Sequence, residues 1–454
     1  VRRLRPQMRA GHLLSTLRPT SSALRVPSGA QRGTPSDVAA VLPILSQLSR
    51  GALRGTPGWV PSPPPGPGLV QRKRAASWLE ITYPFASDPE LAQFYQMSDG
   101  ESLRAGMFLE ELDAFSADCS MRHADGYSPQ RPLTVVTAAH DGLSIFAEGH
   151  RSPLSSRHDL RLRGCVVGVG TSSMEVQTDL LRVHGGGREE EYLGSCFTVM
   201  VARECEGFGK AAVHQLGGGH LRSEADAEAD KRRAATRRAL AANALALKPP
   251  SPSEVPILHE LWRSGAAAAE ATGADAAAGA AGATSTVAGA PGAPAVRRVP
   301  MSSSEQRAVD VMQPAHRNMN GFMFGGYLMR RALEVAWLSA YRFARRPATF
   351  VGLDDVVFKK PVEVGRLVEY IGRVVYAGED NSLRVVVKAH RLSLRTGRTA
   401  PTNQFHFVFR SSGEPLSVQP DTYEEGMLYL EGRRRWLNDA GGGAGGSWDP
   451  QPPP

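Results

Sequence analysis

The stretch HRNMNGFMFGGYLMRRALEVAW, residues 316–337, decides the fold. Adjacent glycines, Gly325 and Gly326, stand at the entrance of an apolar helix, and Asn318 lies eight residues before the second of them. Glycine costs a helix interior about 1 kcal/mol relative to alanine. A pair at the entrance therefore fits a backbone that something must approach closely. Beyond it Leu328, Met329, Ala332, Leu333, Ala336, Trp337 and Ala340 keep helical spacing. Such a helix is expected to be buried over much of its surface, with Pro347 ending it.

An earlier part of the chain reads in the same order. SLRAGMFLEELDAFSADC (102–119) parallels FMFGGYLMRRALEVAWLSAY (322–341), and LTVVTAAHD (133–141) parallels ATFVGLDDVVF (348–358). TSSMEVQTDLLRV (171–183) parallels DNSLRVVVKAHRL (380–392), both alternating as half-buried strands do, and GSCFTVMVARE (194–204) parallels TNQFHFVFRSS (402–412). Anchor offsets of 220 (Gly106 to Gly326), 215 (Thr134 to Thr349) and 208 (Phe197 to Phe405) shrink gradually, as in one duplicated module with small loop changes. Each copy is one long helix followed by antiparallel strands, an α+β pattern in which a sheet wraps the helix.

Composition narrows the function classes. Of 454 residues 41% are hydrophobic and 22% charged, an ordinary globular balance. The net charge of +8 sits in the first 60 residues, which hold nine arginines and one acid, Asp37; the rest carries 44 basic and 44 acidic residues. A neutral body lacks the footprint expected for DNA or RNA. The start is rich in arginine, serine and leucine, without lysine before Lys73, and VAAVLPILSQL is broken by Pro43. That composition fits an organelle transit peptide better than a secretory signal. Arg2, Arg3, Arg5 and Arg9 favour the mitochondrion, with the plastid as alternative. Cys119, Cys165, Cys196 and Cys205 are too scattered for a disulfide framework or zinc ribbon, which points to a reducing compartment. No apolar run is long enough for a transmembrane helix. The expected division is a transit peptide and disordered segment over 1–74, a first domain over 75–248, a flexible Ala/Gly-rich linker over 249–297, a second domain over 298–438 and a disordered tail over 439–454.

The layout resembles the hotdog fold, and NMNGFMFGGYLM resembles the asparagine-to-Gly-Gly signature of hotdog acyl-coenzyme A thioesterases. FGGYLMRRALEVAW, DDVVFKKPVEVG, GMFLEELD, VGTSSMEV, FTVMVARE and GMLYLEGRRRW, spread over about residues 100–436 in the expected order, are similar to the mitochondrial double-hotdog thioesterases of the acyl-coenzyme A thioesterase 9 type. The resemblance implies a tandem (double) hotdog that hydrolyses fatty acyl-coenzyme A to free acid and coenzyme A, with no metal or organic cofactor. It implies further assembly as well, a trimer of double hotdogs. The site of that family pairs an asparagine from one hotdog with an acid from the helix of the other; by motif position these are Asn318 and Asp113.

The repeat tests the pairing independently. Shifted by 220, Asp113 falls on Leu333 and Asn318 on Ser98, so each half keeps one member of the pair, and the opposite site should be dead. Asp113 lies on a small-residue stripe with Gly106, Leu109, Ala117 and Ser120, whereas Glu110 and Glu111 read as ordinary solvent-facing acids. Asp113 is the expected general base or nucleophile, Asn318 the orienting amide, and the amides near Gly325 and Gly326 the oxyanion donors. Lys359 and Lys360 are candidate contacts for coenzyme A phosphates, as is KRRAATRR (231–238).

Rival readings rest on fewer residues. His316 suggests a hotdog hydratase or dehydratase, and Glu334 is a substitute acid. Asp354 and Asp355 hint at a metal, without a histidine cluster to complete it. The divergence of the two halves suggests a silent acyl-coenzyme A sensor. There is no G-x-S-x-G, and GFGKAA and GVGTSS fail the P-loop and dinucleotide fingerprints.

Overall fold

The computed structural model describes residues 69–126, 133–145, 154–184, 189–205, 209–217, 245, 249–271, 285–287, 296–318 and 321–441. KRRAATRR lies outside the described residues. Numbering only the strands of the main sheet, β1 is Leu79–Tyr83, β2 Leu133–Ser144, β3 Asp159–Val169, β4 Ser173–His184 and β5 Glu189–Glu204. The later strands are β6 Gln306–Val311, β7 Thr349–Phe358, β8 Leu367–Ala377, β9 Ser382–Leu392 and β10 Thr399–Arg410. Among the described residues the helices of at least seven residues are α1 Pro89–Tyr95, α2 Ala105–His123, α3 Val255–Ala271, α4 Gly325–Ala344 and α5 Tyr423–Gly441.

All ten strands join one antiparallel sheet in the order β6-β8-β9-β10-β7-β2-β5-β4-β3-β1. The order of the first five is that of the last five read outward from the centre, where β7 pairs with β2 through Val356 opposite His140. The strands alternate as period-two sequences do: β5 buries Cys196, Thr198, Met200 and Ala202 and leaves the residues between them half exposed. α2 and α4 lie against each other, and a methyl on Gly106 would stand 3.1 Å from the Arg330 side chain while one on Gly326 would stand 2.8 Å from Glu110 Cα. Since 110 and 330 differ by 220, these two contacts are mirror images, and the glycines are what lets the helix backbones meet.

This packing overturns one expectation. Every residue of α2 from Gly106 to Met121 is buried, Glu110 and Glu111 included. The sheet covers one side of the helix and α4 the other, so no solvent-facing stripe remains. Each acid is matched instead. Glu110 faces Arg330 at 3.2 Å. Glu111 accepts from the hydroxyls of Tyr83 and Tyr95, each at 3.2 Å. Burial, reinforced by the Glu111 charge, raises both phenols well above their ordinary range.

The register of the halves also differs from the sequence anchors. Ser173 pairs with Val201 as Ser382 pairs with Arg410, so β4 and β5 map onto β9 and β10 with an offset of 209. Val136 pairs with Val201 as Thr349 pairs with Arg410, which makes 213 the offset of β2 to β7. Phe405 therefore matches Cys196 rather than Phe197; a one-residue slip exchanges the faces of a strand. Thr349 matches Val136, two residues along from the expected Thr134.

α4 stops at Ala344, where Arg345 turns left-handed (φ 59°) and its N–H bonds Tyr341 O; Pro347 follows rather than makes the end. The expected linker also holds structure. α3 runs through its first alanines, the best helix formers, and packs on α5: Leu258 meets Gly426, and Arg434 donates twice to Glu254 at 2.6 Å. α5 itself continues to Gly441, into the expected tail.

Candidate functional site

Asp113 sits on the face of α2 that meets the first turn of α4. It is fully buried, and among the described residues no arginine or lysine pairs with it. Its Oδ2 accepts from the N–H of Gly326 at 2.6 Å. Its Oδ1 accepts from the Thr137 hydroxyl at 2.5 Å and faces His140 Nε2 at 3.2 Å. A helix N-terminus presents unpaired amides and a positive dipole end, both suited to a carboxylate.

The opening glycines now have a physical reason. A methyl on Gly325 would lie 3.1 Å from Asp113 Oδ2 and 3.2 Å from the Phe358 ring. The carboxylate and the α4 backbone meet only because neither glycine has a side chain. The Gly326 amide, expected as an oxyanion donor, is directed at the carboxylate. Gly325 instead lines a cleft of about 260 Å3 beside it.

That cleft runs between the halves. Thr137, Met200 and Arg203 form part of one wall, and Asn318, Phe324 and Leu328 part of the other. Lys359 and Lys360 are exposed at its rim, and Asp118 and Met121 of α2 line it too. Asn318 closes the turn before α4: its N–H reaches Phe322 O at 2.6 Å, and its Oδ1 accepts from Phe322 N–H at 3.1 Å. Asp113, Asn318, Gly325, Gly326, Lys359 and Lys360 thus gather at one seam.

Three contributors escaped the sequence reading. Thr137 is half-buried at the cleft, while His140 and Thr198 belong to a buried chain in which His140 Nδ1 meets the Thr198 hydroxyl at 3.0 Å and Ser116 donates to Thr198 at 3.0 Å. Residues three apart on a regular strand face opposite ways. The β2–β5 register shifts between Thr137 and Ala139, and this bulge turns Thr137 and His140 to the same carboxylate. Burial alone would draw the His140 imidazole down, but its bonds to Asp113 and Cys196 carry it up to about 9.

The opposite half replaces the whole chain. By the offsets above, Asp113, Ser116, Thr137, His140 and Thr198 correspond to Leu333, Ala336, Phe350, Leu353 and Phe407, all apolar and buried. The counterpart of Asn318 is Met97, not Ser98: Met97 bonds Ser102 O as Asn318 bonds Phe322 O, and Gly100 follows it as Gly321 follows Asn318. One half keeps a polar centre, and the other has buried apolar side chains at the same positions.

The remaining candidates are accounted for elsewhere. His316 stacks on Tyr327 (4.0 Å between rings), its carbonyl accepts from Phe324 N–H, and burial holds its pKa down. The residue behind the hydratase reading does not line the cleft. Glu334 pairs with Arg330 at 3.3 Å, and Asp354 with Arg384 at 2.8 Å.

A buried acid presented to a helix N-terminus beside a cleft with a cationic rim is the arrangement of an enzyme centre, and the comparisons with known proteins narrow the class. No family model matches the chain. It is 31% identical over 369 residues to the mitochondrial acyl-coenzyme A thioesterase 9 of Mus musculus, covering 81% of this chain and 79% of that one. The corresponding protein of Homo sapiens is 31% identical, with 82% and 80% covered. Among solved structures, an acyl-CoA hydrolase from Staphylococcus aureus in complex with butyryl coenzyme A and coenzyme A is 25% identical, covering 32% of this chain and 91% of that one with a TM-score of 0.30. The chain belongs to the acyl-coenzyme A thioesterase 9 family.

Proposed function

We propose that this chain hydrolyses a fatty acyl-coenzyme A to the free acid and coenzyme A, in the mitochondrion like its named relatives. The observation that carries this reading is Asp113, an acid with no arginine or lysine partner among the described residues, which α2 of one half presents to the first turn of α4 of the other. We read the halves as a tandem pair of hotdogs, from the matched strand order and the reciprocal glycine contacts of α2 and α4.

The thioester lies in the cleft with its carbonyl toward the first turn of α4 at Gly325. Asp113 takes a proton from water as the water oxygen bonds the acyl carbon; the C–S bond then breaks and the thiolate leaves with a proton. Gly326 holds the acid in place, and amides of the same turn stabilise the oxyanion. Asn318 orients the water or thioester, and Lys359 and Lys360 meet the coenzyme A phosphates at the rim. We further assign the chain to a trimer of double hotdogs.

Thiol release over a ladder of acyl chain lengths tests the reading. Wild type is expected to release thiol, with Asp113→Ala and Asn318→Ala each slower by about 100-fold or more, the scale of losing a group that acts on the transition state. Full activity in both variants overturns the assignment of the site, and binding without thiol release overturns hydrolysis in favour of a sensor.

A further inference from the structure

The buried acids of α2 differ in how their charge is met. Glu110 has Arg330, while Asp113 has a backbone amide, one hydroxyl and one imidazole. The imidazole is buried, does not line the cleft and is held from behind by Thr198, which Ser116 bonds in turn. We propose that His140 is a positioning residue for Asp113: braced by Thr198, it fixes Oδ1 so that Oδ2 stays aimed at the first turn of α4, and its second proton supplies the buried acid's compensating charge. This inference rests on the hydrolytic reading above.

Three observations support it. A chain of groups with one role should be kept or lost together, and in the opposite half acid, imidazole and hydroxyls are all replaced by apolar residues. The bulge between Thr137 and Ala139 is what aims His140, and bulges re-aim side chains at functional sites. The surroundings also let the charge be assigned. The titratable groups facing the ring are Asp113 from α2 and Cys196 from β5, with Sγ 3.9 Å from Nδ1, while β7 presents the Phe358 ring at 6.2 Å. With its pKa raised from 6.5 to about 9, the imidazole is cationic at neutral pH and becomes neutral as pH rises through about 9. The stability it contributes is complete below about 6.5, its unfolded value, and is lost as pH rises from there through about 9.

The test measures kcat, KM and their pH profiles from pH 6 to 10.5, with thermal unfolding in parallel. Wild type should lose rate near pH 9. His140→Gln keeps a donor for Oδ1 without the charge, so its kcat at pH 7.5 should fall about ten- to a hundredfold, as for the loss of a partner that orients a functional side chain. KM should stay within about threefold, since the ring does not touch the cleft, and the alkaline limb should vanish. Thr198→Val, which keeps the imidazole but removes its brace, should move that limb to lower pH, and Cys196→Ser, which takes away a thiol that helps raise the imidazole, should lower it without abolishing it. Wild-type kcat and an intact limb in His140→Gln overturn the proposal. Should that variant not fold, an unmoved limb and full rate in Thr198→Val do the same, and a limb lost in Cys196→Ser assigns it to the thiol and also overturns it. Asp113→Asn separates the two readings: full hydrolysis there defeats the hydrolytic assignment, whereas a dead Asp113→Asn beside an unaffected His140→Gln defeats only this inference.

Discussion

A carboxylate with no exposed surface stays ionised only where neighbouring groups replace the water it has lost. Asp113 is met by an amide, a hydroxyl and an imidazole, and its Oδ2 lies beside Gly325 and Gly326, the first of which lines the cleft. Changing the acid to its isosteric amide tests that point directly. Asp113→Asn should fold with a lowered unfolding midpoint, because it breaks the buried pair with His140, and lose kcat by about 100-fold or more. Leu333→Asp tests the opposite half. It should not create a second site, because Phe350, Leu353 and Phe407 occupy the positions of the partners the new acid would need. The expected result is no added thiol release and a loss of about 3–5 kcal/mol in stability by denaturant titration. Gly326→Ala places a methyl 2.8 Å from Glu110 Cα, which only a backbone shift can relieve. About 1–3 kcal/mol of destabilisation and a lower kcat are expected. At this scale the acid, the asparagine and the glycines were legible from motif and repeat. Thr137 and His140 were not, because a bulge has no sequence mark of its own and three-residue spacing on a strand argues against a shared face.

Elements were easier to foresee than their surroundings. The two long helices and the strands that follow each were visible in apolar spacing, yet α2 carries Glu110, Glu111, Asp113 and Asp118 and is buried along most of its length. Charge read from sequence suggested a wet stripe. The partners that make burial tolerable, Arg330 on α4, Tyr83 at the end of β1 and Tyr95 at the end of α1, lie on other elements and are invisible to local pattern. The strand offsets erred for a related reason: bulges and turn lengths shift register one residue at a time, below what matching of similar residues resolves. α3 was missed because alanine-rich sequence serves helix and linker alike until a docking surface decides. Here Glu254 and Arg434 decide. Arg434, bonding the carboxylate through two nitrogens, brings Glu254 from 4.5 down to about 2. The contribution of a depressed carboxylate is complete above its unfolded value, near 4.5, and is lost as pH falls through about 2. Hydrogen exchange should therefore show α3 protected at pH 6 and opening progressively below pH 4.5. In Glu254→Gln, which loses the charge, α3 should exchange faster already at pH 6, with the ten-stranded sheet unaffected.

The whole molecule depends on a seam more than on a covalent join. β7 pairs with β2 at the middle of the sheet, α2 packs on α4, and α3 docks on α5, so the two halves adhere through a ladder, a helix pair and an ion pair. The division of the site follows the same line. Asp113, Thr137 and His140 come from one side, and Asn318, Gly325 and Gly326 from the other. Residues 272–284 lie outside the described structure and join two parts that already grip each other. A chain with a protease site inserted in that segment should, after cutting, elute from a sizing column as one species and keep its hydrolytic rate within about twofold, since loop closure contributes only weakly compared with a built interface. Pieces parted in denaturant and refolded singly should release no thiol, because neither holds both the acid and the turn that receives it, and mixing them before refolding should restore the rate. A first half active on its own would show that Asp113 needs nothing from α4. Cut chains that separate without denaturant would show that the seam is too weak to hold a shared site.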